Sequence, residues 1–131
     1  RESLATPPAG VDHEPEDSLQ YRRTGVPDSV LRRLRRGDLR IEAEIDLHGL
    51  NRSQAEAQLR EFLLEAVAAR LQCLRIVHGK GLRSGSRGPV LREAALALLR
   101  RVDRVLAYTP AAARDGGTGA TLVLLRAATR T

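Results

Sequence analysis

The apolar positions of the chain change their period several times, and each change marks an element. Up to residue 20 large apolar side chains are almost absent, and Pro7, Pro8 and Pro15 stand among acidic residues. Such a stretch buries too little surface to offset its ordering entropy, so residues 1–20 are expected to form a disordered acidic arm. Pro27, Asp28 and Ser29 then open a short helix with Val30, Leu31 and Leu34 on its apolar side, closed by Gly37, a residue favoured just past a helix end. From Ile41 the period falls to two: Ile41, Ala43, Ile45 and Leu47 alternate with Glu42, Glu44, Asp46 and His48, the pattern of a half-buried strand. Asn51 with Gln54 three residues on resembles a capping box. Ala55, Leu59, Phe62, Leu63, Ala66 and Val67 follow at helical spacing, an apolar stripe that would lie on a sheet.

The run from Cys73 to Val77 is short and mostly apolar, as in a more deeply buried strand. Pro89 suits the first turn of a second main helix, whose core side reads Val90, Leu91, Ala94, Ala95, Leu98 and Leu99. Arg104 to Thr109 reads as a third strand, Pro110 to Gly119 as a long loop and Ala120 to Arg126 as a last strand. The order β-α-β-α-β-β after a helical prelude predicts an α/β fold, a mixed four-stranded sheet with two main helices. Two strand-helix-strand units imply parallel neighbours joined by right-handed crossovers, while the last pair is free to run antiparallel, which would make the sheet mixed. The expected organisation is an arm (1–20), an N-terminal extension with an Arg-rich helix (21–40) and a single body (41–127), in keeping with a chain of 131 residues.

No apolar run approaches the roughly 18 residues of a membrane span. The first ten residues lack a signal-peptide pattern, and one cysteine cannot form an internal disulfide; the expected setting is the reducing cytoplasm. The absence of methionine reads as a piece of a longer reading frame. The net charge is +6, yet the first 18 residues hold five carboxylates against one arginine. The body therefore carries more than the whole positive excess, a field that attracts polyanions such as nucleic acid. Arg32, Arg33, Arg35, Arg36 and Arg40 form its densest basic cluster, either a phosphate- or ribosome-facing patch or a solvated helix face. Three aromatic residues are too few for a base-stacking platform.

Ligands of open α/β sheets gather beyond the carboxyl ends of the parallel strands. The first strand ends in Asp46-Leu47-His48-Gly49 and the second in His78-Gly79-Lys80-Gly81, so both histidines are expected on one edge. Breaking a phosphodiester needs a base for the nucleophile and an acid for the leaving oxygen, which imidazoles supply near neutrality. Asp46 can fix the tautomer of His48; the bland alternative makes these turn residues, with Asp46 accepting backbone amides. Gly79, Gly81, Gly85 and Gly88 allow backbone amides to approach an anion, with Lys80, Arg83 and Arg87 among them. No Gly-Lys-Ser/Thr follows, and Gly85 falls one residue too late for a dinucleotide fingerprint. Gly116, Gly117 and Gly119, with Arg114, form a third glycine loop, either a substrate clamp or hairpin geometry. No metal is required by this reading; if Mg or Mn takes part, Asp46 and His48 are its expected ligands, with His78 as a third donor.

Taken together, Asp46-Leu47-His48-Gly49-Leu50, His78-Gly79-Lys80-Gly81 and Gly116-Gly117-Thr118-Gly119-Ala120 resemble the signature segments of the small MutS-related (Smr) domain, over roughly residues 41–127. The prelude from Tyr21 to Gly37 resembles the extension of stand-alone bacterial Smr proteins. The resemblance implies a fold like the C-terminal domain of a bacterial translation initiation factor. It also implies an endonuclease that nicks DNA or cleaves mRNA, with links to ribosome rescue and to DNA repair. Asp46, His48 and His78 are then the expected catalytic residues. Gly49, Gly79, Lys80, Gly81, Arg83, Arg87, Arg114, Gly116, Gly117 and Gly119 are the expected phosphate contacts. Some Smr domains bind nucleic acid with little cleavage, so a non-catalytic nucleic-acid or ribosome-binding adaptor is the competing expectation. No membrane partner is expected.

Overall fold

A computed structural model of the chain describes residues 19–79 and 88–127. The elements run β1 (Tyr21–Arg22), α1 (Asp28–Arg36), β2 (Ala43–Asp46), α2 (Arg52–Ala68), β3 (Cys73–Val77), α3 (Gly88–Arg101), β4 (Val105–Pro110) and β5 (Ala120–Leu125), with two short 3-10 turns between the last two strands. Local signals set the helix ends as expected. The Asn51 side chain accepts from the Gln54 amide while the Gln54 side chain accepts from the Asn51 amide, satisfying two of the donors a helix start leaves open. Gly37 ends α1 at φ 78°, its amide donating back to the last turn, a left-handed conformation that an L side chain adopts only at a cost.

The sheet has five strands in the order β1-β4-β5-β3-β2, one more than the hydrophobic pattern predicts. The extra strand is two residues long, below any periodicity signal. Tyr21 pairs with Tyr108 on β4, and the two rings stack with centroids 5.2 Å apart. Leu19, assigned to the arm by composition, is 5% exposed and belongs to the main core, because one leucine beside a paired strand finds a wall that composition cannot foresee. Residues 1–18, the rest of the expected arm, lie outside the described residues.

A second difference concerns strand neighbours. β2 and β3 are parallel neighbours, as a strand-helix-strand unit requires. β3 and β4 are not neighbours: β5 lies between them, antiparallel to both. The crossover through α3 thus leaves a gap one strand wide, and the chain returns to fill it.

Alternation along the central strands divides the side chains between two cores. Leu74, Ile76, Tyr108, Val123 and Leu125 join Ala55, Leu59, Leu63, Leu91, Ala95 and Leu99 of α2 and α3. Cys73, Ala107, Ala120 and Leu122 join Leu31 and Leu34 of α1 on the opposite face. α1 packs against β4 and β5, so the extension is part of the fold and covers the second face of the sheet. None of the described helices is long and apolar enough to cross a membrane.

Candidate nucleic-acid site

The parallel pairing brings the ends of β2 and β3 together. Asp46 sits opposite Val77, Val77 opposite Ala120, and Pro110 opposite Thr121, so the Asp46, His78 and Gly116–Gly119 segments all emerge at one end of the sheet. The last two are joined directly, since the Gly119 carbonyl accepts from the amides of both His78 (3.1 Å) and Gly79 (2.9 Å). Among the described residues nothing lies within 4 Å of where a side chain would begin at Gly49 or Gly79.

Asp46 and His48 form the expected pair. One carboxylate oxygen, Asp46 Oδ1, accepts from the His48 amide at 3.0 Å and lies 3.2 Å from the ring nitrogen Nδ1. The amide contact is the main reason the Asp46 carboxyl is held below its ordinary value, assisted by the ring of His48 and by the Arg75 cation, against a smaller opposing effect of desolvation. A charged Asp46 holds the proton of the neutral ring on Nδ1, which leaves the Nε2 lone pair free. The His48 side chain is 75% exposed, so that lone pair is accessible from solvent.

His78 is arranged differently. Along β3 the even positions Leu74 and Ile76 point into the α2–α3 core, and His78 continues that alternation; it is 1% exposed. Its Nδ1 lies 2.9 Å from the Gly79 carbonyl and its Nε2 lies 2.9 Å from Thr121 Oγ1. A carbonyl can only accept, so Nδ1 carries the proton and the threonine hydroxyl donates to Nε2. Burial pushes the ring's pKa down from 6.5 to about 4, with the Arg92 cation acting in the same direction and the Gly79 bond opposing. Asp46 shares its face of the sheet with Val77, on the α1 side, whereas His78 lies on the other. The expected contact of His78 with a scissile phosphate does not fit this placement, because both ring nitrogens are engaged inside the protein.

Other expected residues also find work within the fold. Arg114 Nη2 donates to the carbonyls of Arg36 (3.1 Å) and Gly37 (3.3 Å), which ties the third glycine loop to the C-terminus of α1. Arg32 pairs with Asp28 and Arg36 with Asp38, exposed pairs of small energetic weight. Arg33, Arg35 and Arg40 are exposed; Arg33 and Arg35 form no ion pair among the described residues, and the Arg40 charge helps to hold the Glu42 carboxyl below its ordinary value. Lys80, Gly81, Arg83, Gly85 and Arg87 lie outside the described residues. No group of three or more His, Cys, Asp or Glu able to hold a metal occurs among the described residues. Asp46 and His48 stand together, hydrogen-bonded to each other, whereas His78, the third expected donor, is turned inward away from them.

Two residues escaped the sequence reading. Thr121 follows the third glycine segment and faces the core as the partner of His78. Arg75 is the one charge inside the apolar run of β3, and a lone cation in a buried strand is itself a signal that partners wait for it.

A mixed sheet covered on both faces, with three glycine-bearing segments gathered at one end beside an exposed Asp-x-His pair, defines a small α/β domain with a surface site. A family model described as the Smr domain matches residues 45–126, and the chain belongs to that family. A protein of Yersinia enterocolitica named ribosome rescue factor SmrB is 33% identical over 110 residues, 84% of this chain and 59% of its own length. One of Escherichia coli K12 named probable DNA endonuclease SmrA is 32% identical over 108 residues, 82% of this chain and 58% of its own. The chain thus spans less than two thirds of these relatives. Among solved structures, YdaL, a stand-alone small MutS-related protein from Escherichia coli, superposes with a TM-score of 0.74 at 32% identity, covering 82% of each chain. The Smr domain of Thermus thermophilus MutS2 gives 0.58 at 39% identity, covering 65% of this chain and 99% of that one.

Proposed function

We propose that the chain is an endonuclease that breaks phosphodiester bonds of nucleic acid, with His48 as the proton-transferring group and Asp46 as its orienting partner. The observation that carries this reading is the exposed pair itself: a charged carboxylate bonded to Nδ1 of a ring whose Nε2 faces solvent at the shared end of β2 and β3. On RNA, a ribose 2′-hydroxyl gives its proton to Nε2 and attacks the neighbouring phosphorus. The 5′-oxygen departs with a proton from solvent, leaving a 2′,3′-cyclic phosphate. On DNA the attacking group is water, which an imidazole alone activates poorly, so RNA is the better match to this pair. These steps run without a metal. His78 is given a structural part, holding the joined second and third glycine segments through Gly79 and Thr121.

The test is a pair of substitutions on the exposed face. His48→Ala is expected to abolish cleavage while affinity for the same oligonucleotide stays within about threefold, because it removes the base and leaves binding intact. Asp46→Asn is expected to lower kcat by about a hundredfold or more through loss of the fixed tautomer. Wild-type cleavage by the His48→Ala protein would falsify the reading.

A second reading, a non-catalytic nucleic-acid or ribosome-binding adaptor, is favoured by one observation: α1 presents Arg33 and Arg35 to solvent, with Arg40 just beyond. It draws support from the relative named as a ribosome rescue factor. It predicts salt-sensitive binding that does not depend on His48.

A further inference from the structure

On the α1 side of the sheet, α1 packs over β4 and β5, and toward the β2 edge the same face carries Glu44, Asp46 and Arg75. Arg75 sits in register with Glu44 and reaches two ways. Its Nη1 lies 2.5 Å from Glu44 Oε1, and its Nε donates at 2.7 Å to the backbone carbonyl of Asp115, in the loop that leads into Gly116–Gly119. Gly116 has φ 118°, and a Cβ there would stand 3.2 Å from Arg75 Nη2 and 2.9 Å from the Ala120 Cβ. A side chain at Gly116 would thus press on Ala120 and crowd the guanidinium, besides straining the backbone at that φ. The Arg75 side chain is 22% exposed, a partial burial that a cation tolerates only with partners in place.

We propose that Arg75 is the positioning residue of the site, its guanidinium clamping the 112–119 loop to the Asp46-bearing strand so that loop and Asp46–His48 pair face one phosphate as a single unit. The proposal rests on the cleavage reading for its functional consequence, though not for the clamp itself. A planar fork serves a carboxylate and a carbonyl in two directions at once, which a single ammonium cannot do. Arg75 also supplies positive charge to a face crowded with carboxylates. The charged groups acting on Asp46 are His48 and Arg75, with Glu44 on the same face of its own strand; Asp115 and Arg114 of the loop pair with each other, and the β5 residues on this face, Ala120 and Leu122, carry no charge.

The experiment compares Arg75→Lys, Arg75→Gln and Glu44→Ala with wild type in three measurements on the purified chain. These are amide exchange at Gly117 and Gly119, whose N–H groups are bonded within the loop, NMR titration of the Asp46 carboxyl, and steady-state cleavage of an RNA oligonucleotide. Both Arg75 variants are expected to speed exchange at the two glycines. Only Arg75→Gln, which removes the charge, is expected to raise the Asp46 midpoint. Cleavage should show kcat reduced about tenfold or more with KM nearly unchanged, the signature of a misplaced group and not of weakened binding. Glu44→Ala, on an exposed strand position, leaves the cores intact and should loosen the loop in the same direction, which keeps the test alive if Arg75→Gln does not fold. Wild-type exchange at both glycines in Arg75→Gln, or in Glu44→Ala if the former cannot be made, overturns the clamp. If wild-type protein gives no His48-dependent product, the cleavage reading fails, and exchange and titration still decide whether Arg75 holds the loop.

Discussion

His48 and His78 end two adjacent strands, yet they live in opposite environments, one exposed to solvent and one sealed in the core. The contrast has a thermodynamic consequence. The unfolded chain binds a proton at His78 near pH 6.5, while the folded protein holds it off until about pH 4. Acid therefore favours the unfolded state: the stabilisation is complete above about pH 6.5 and drains away as the pH falls toward 4, at about 1.4 kcal/mol per pH unit within that window. Tm measured from pH 7.5 to 4.5 is expected to fall more steeply for wild type than for His78→Gln. Parallel curves for the two proteins would rule out a neutral, buried His78. The placement was legible in part: Leu74, Ile76 and His78 share parity along the run Cys73–Val77 and its continuation. What the sequence could not give is the continuation of the alternation past the strand's end, since a following glycine allows a chain to turn either way.

At the scale of elements, α1 is nine residues long, too short to be stable alone in water. It holds through Leu31 and Leu34, which are its buried residues, and through the Gly37 cap with the Arg114 contact behind it. Leu34→Ala is expected to cost about 3 kcal/mol, within the range for a fully buried leucine, as read from the shift in denaturant midpoint. Less than about 0.5 kcal/mol would mean that α1 is not packed on β4 and β5. Capping signals such as Asn51 with Gln54 and the Gly37 stop were readable because their partners lie within four residues. Strand order was not, because the insertion of β5 between β3 and β4 is decided by pairings some fifty residues apart (Cys73 with Leu124). The same distance hid the Thr121 partner of His78 and the Asp115 partner of Arg75, while Asp46 and His48 could be paired on paper because they are two residues apart.

At the scale of the whole molecule, the described residues carry the Asp46–His48 pair and the exposed arginines Arg33, Arg35 and Arg40 on one fold. α1 is fixed to the glycine loop by Arg114, and the loop to β3 by Arg75, so a strand held along α1 would stand in a defined relation to His48. Replacing Arg33, Arg35 and Arg40 by Ala is expected to flatten the log–log dependence of affinity on salt by up to about 2, near 0.7 for each single-strand phosphate that is no longer neutralised. Replacing the ion-paired Arg32 should change it less. An unchanged slope in fluorescence-anisotropy titrations would remove this patch from the binding surface.

The most direct measurement of the central claim is cleavage of an end-labelled single-stranded RNA and of supercoiled plasmid, side by side with EDTA or with Mg²⁺, for wild type and His48→Ala. The expected result is RNA cleavage that persists in EDTA, yields 2′,3′-cyclic phosphate ends and disappears with His48. Products of equal yield from both proteins, or salt-sensitive binding with no His48-dependent product from either substrate, would contradict catalysis by the Asp46–His48 pair, the latter in favour of an adaptor.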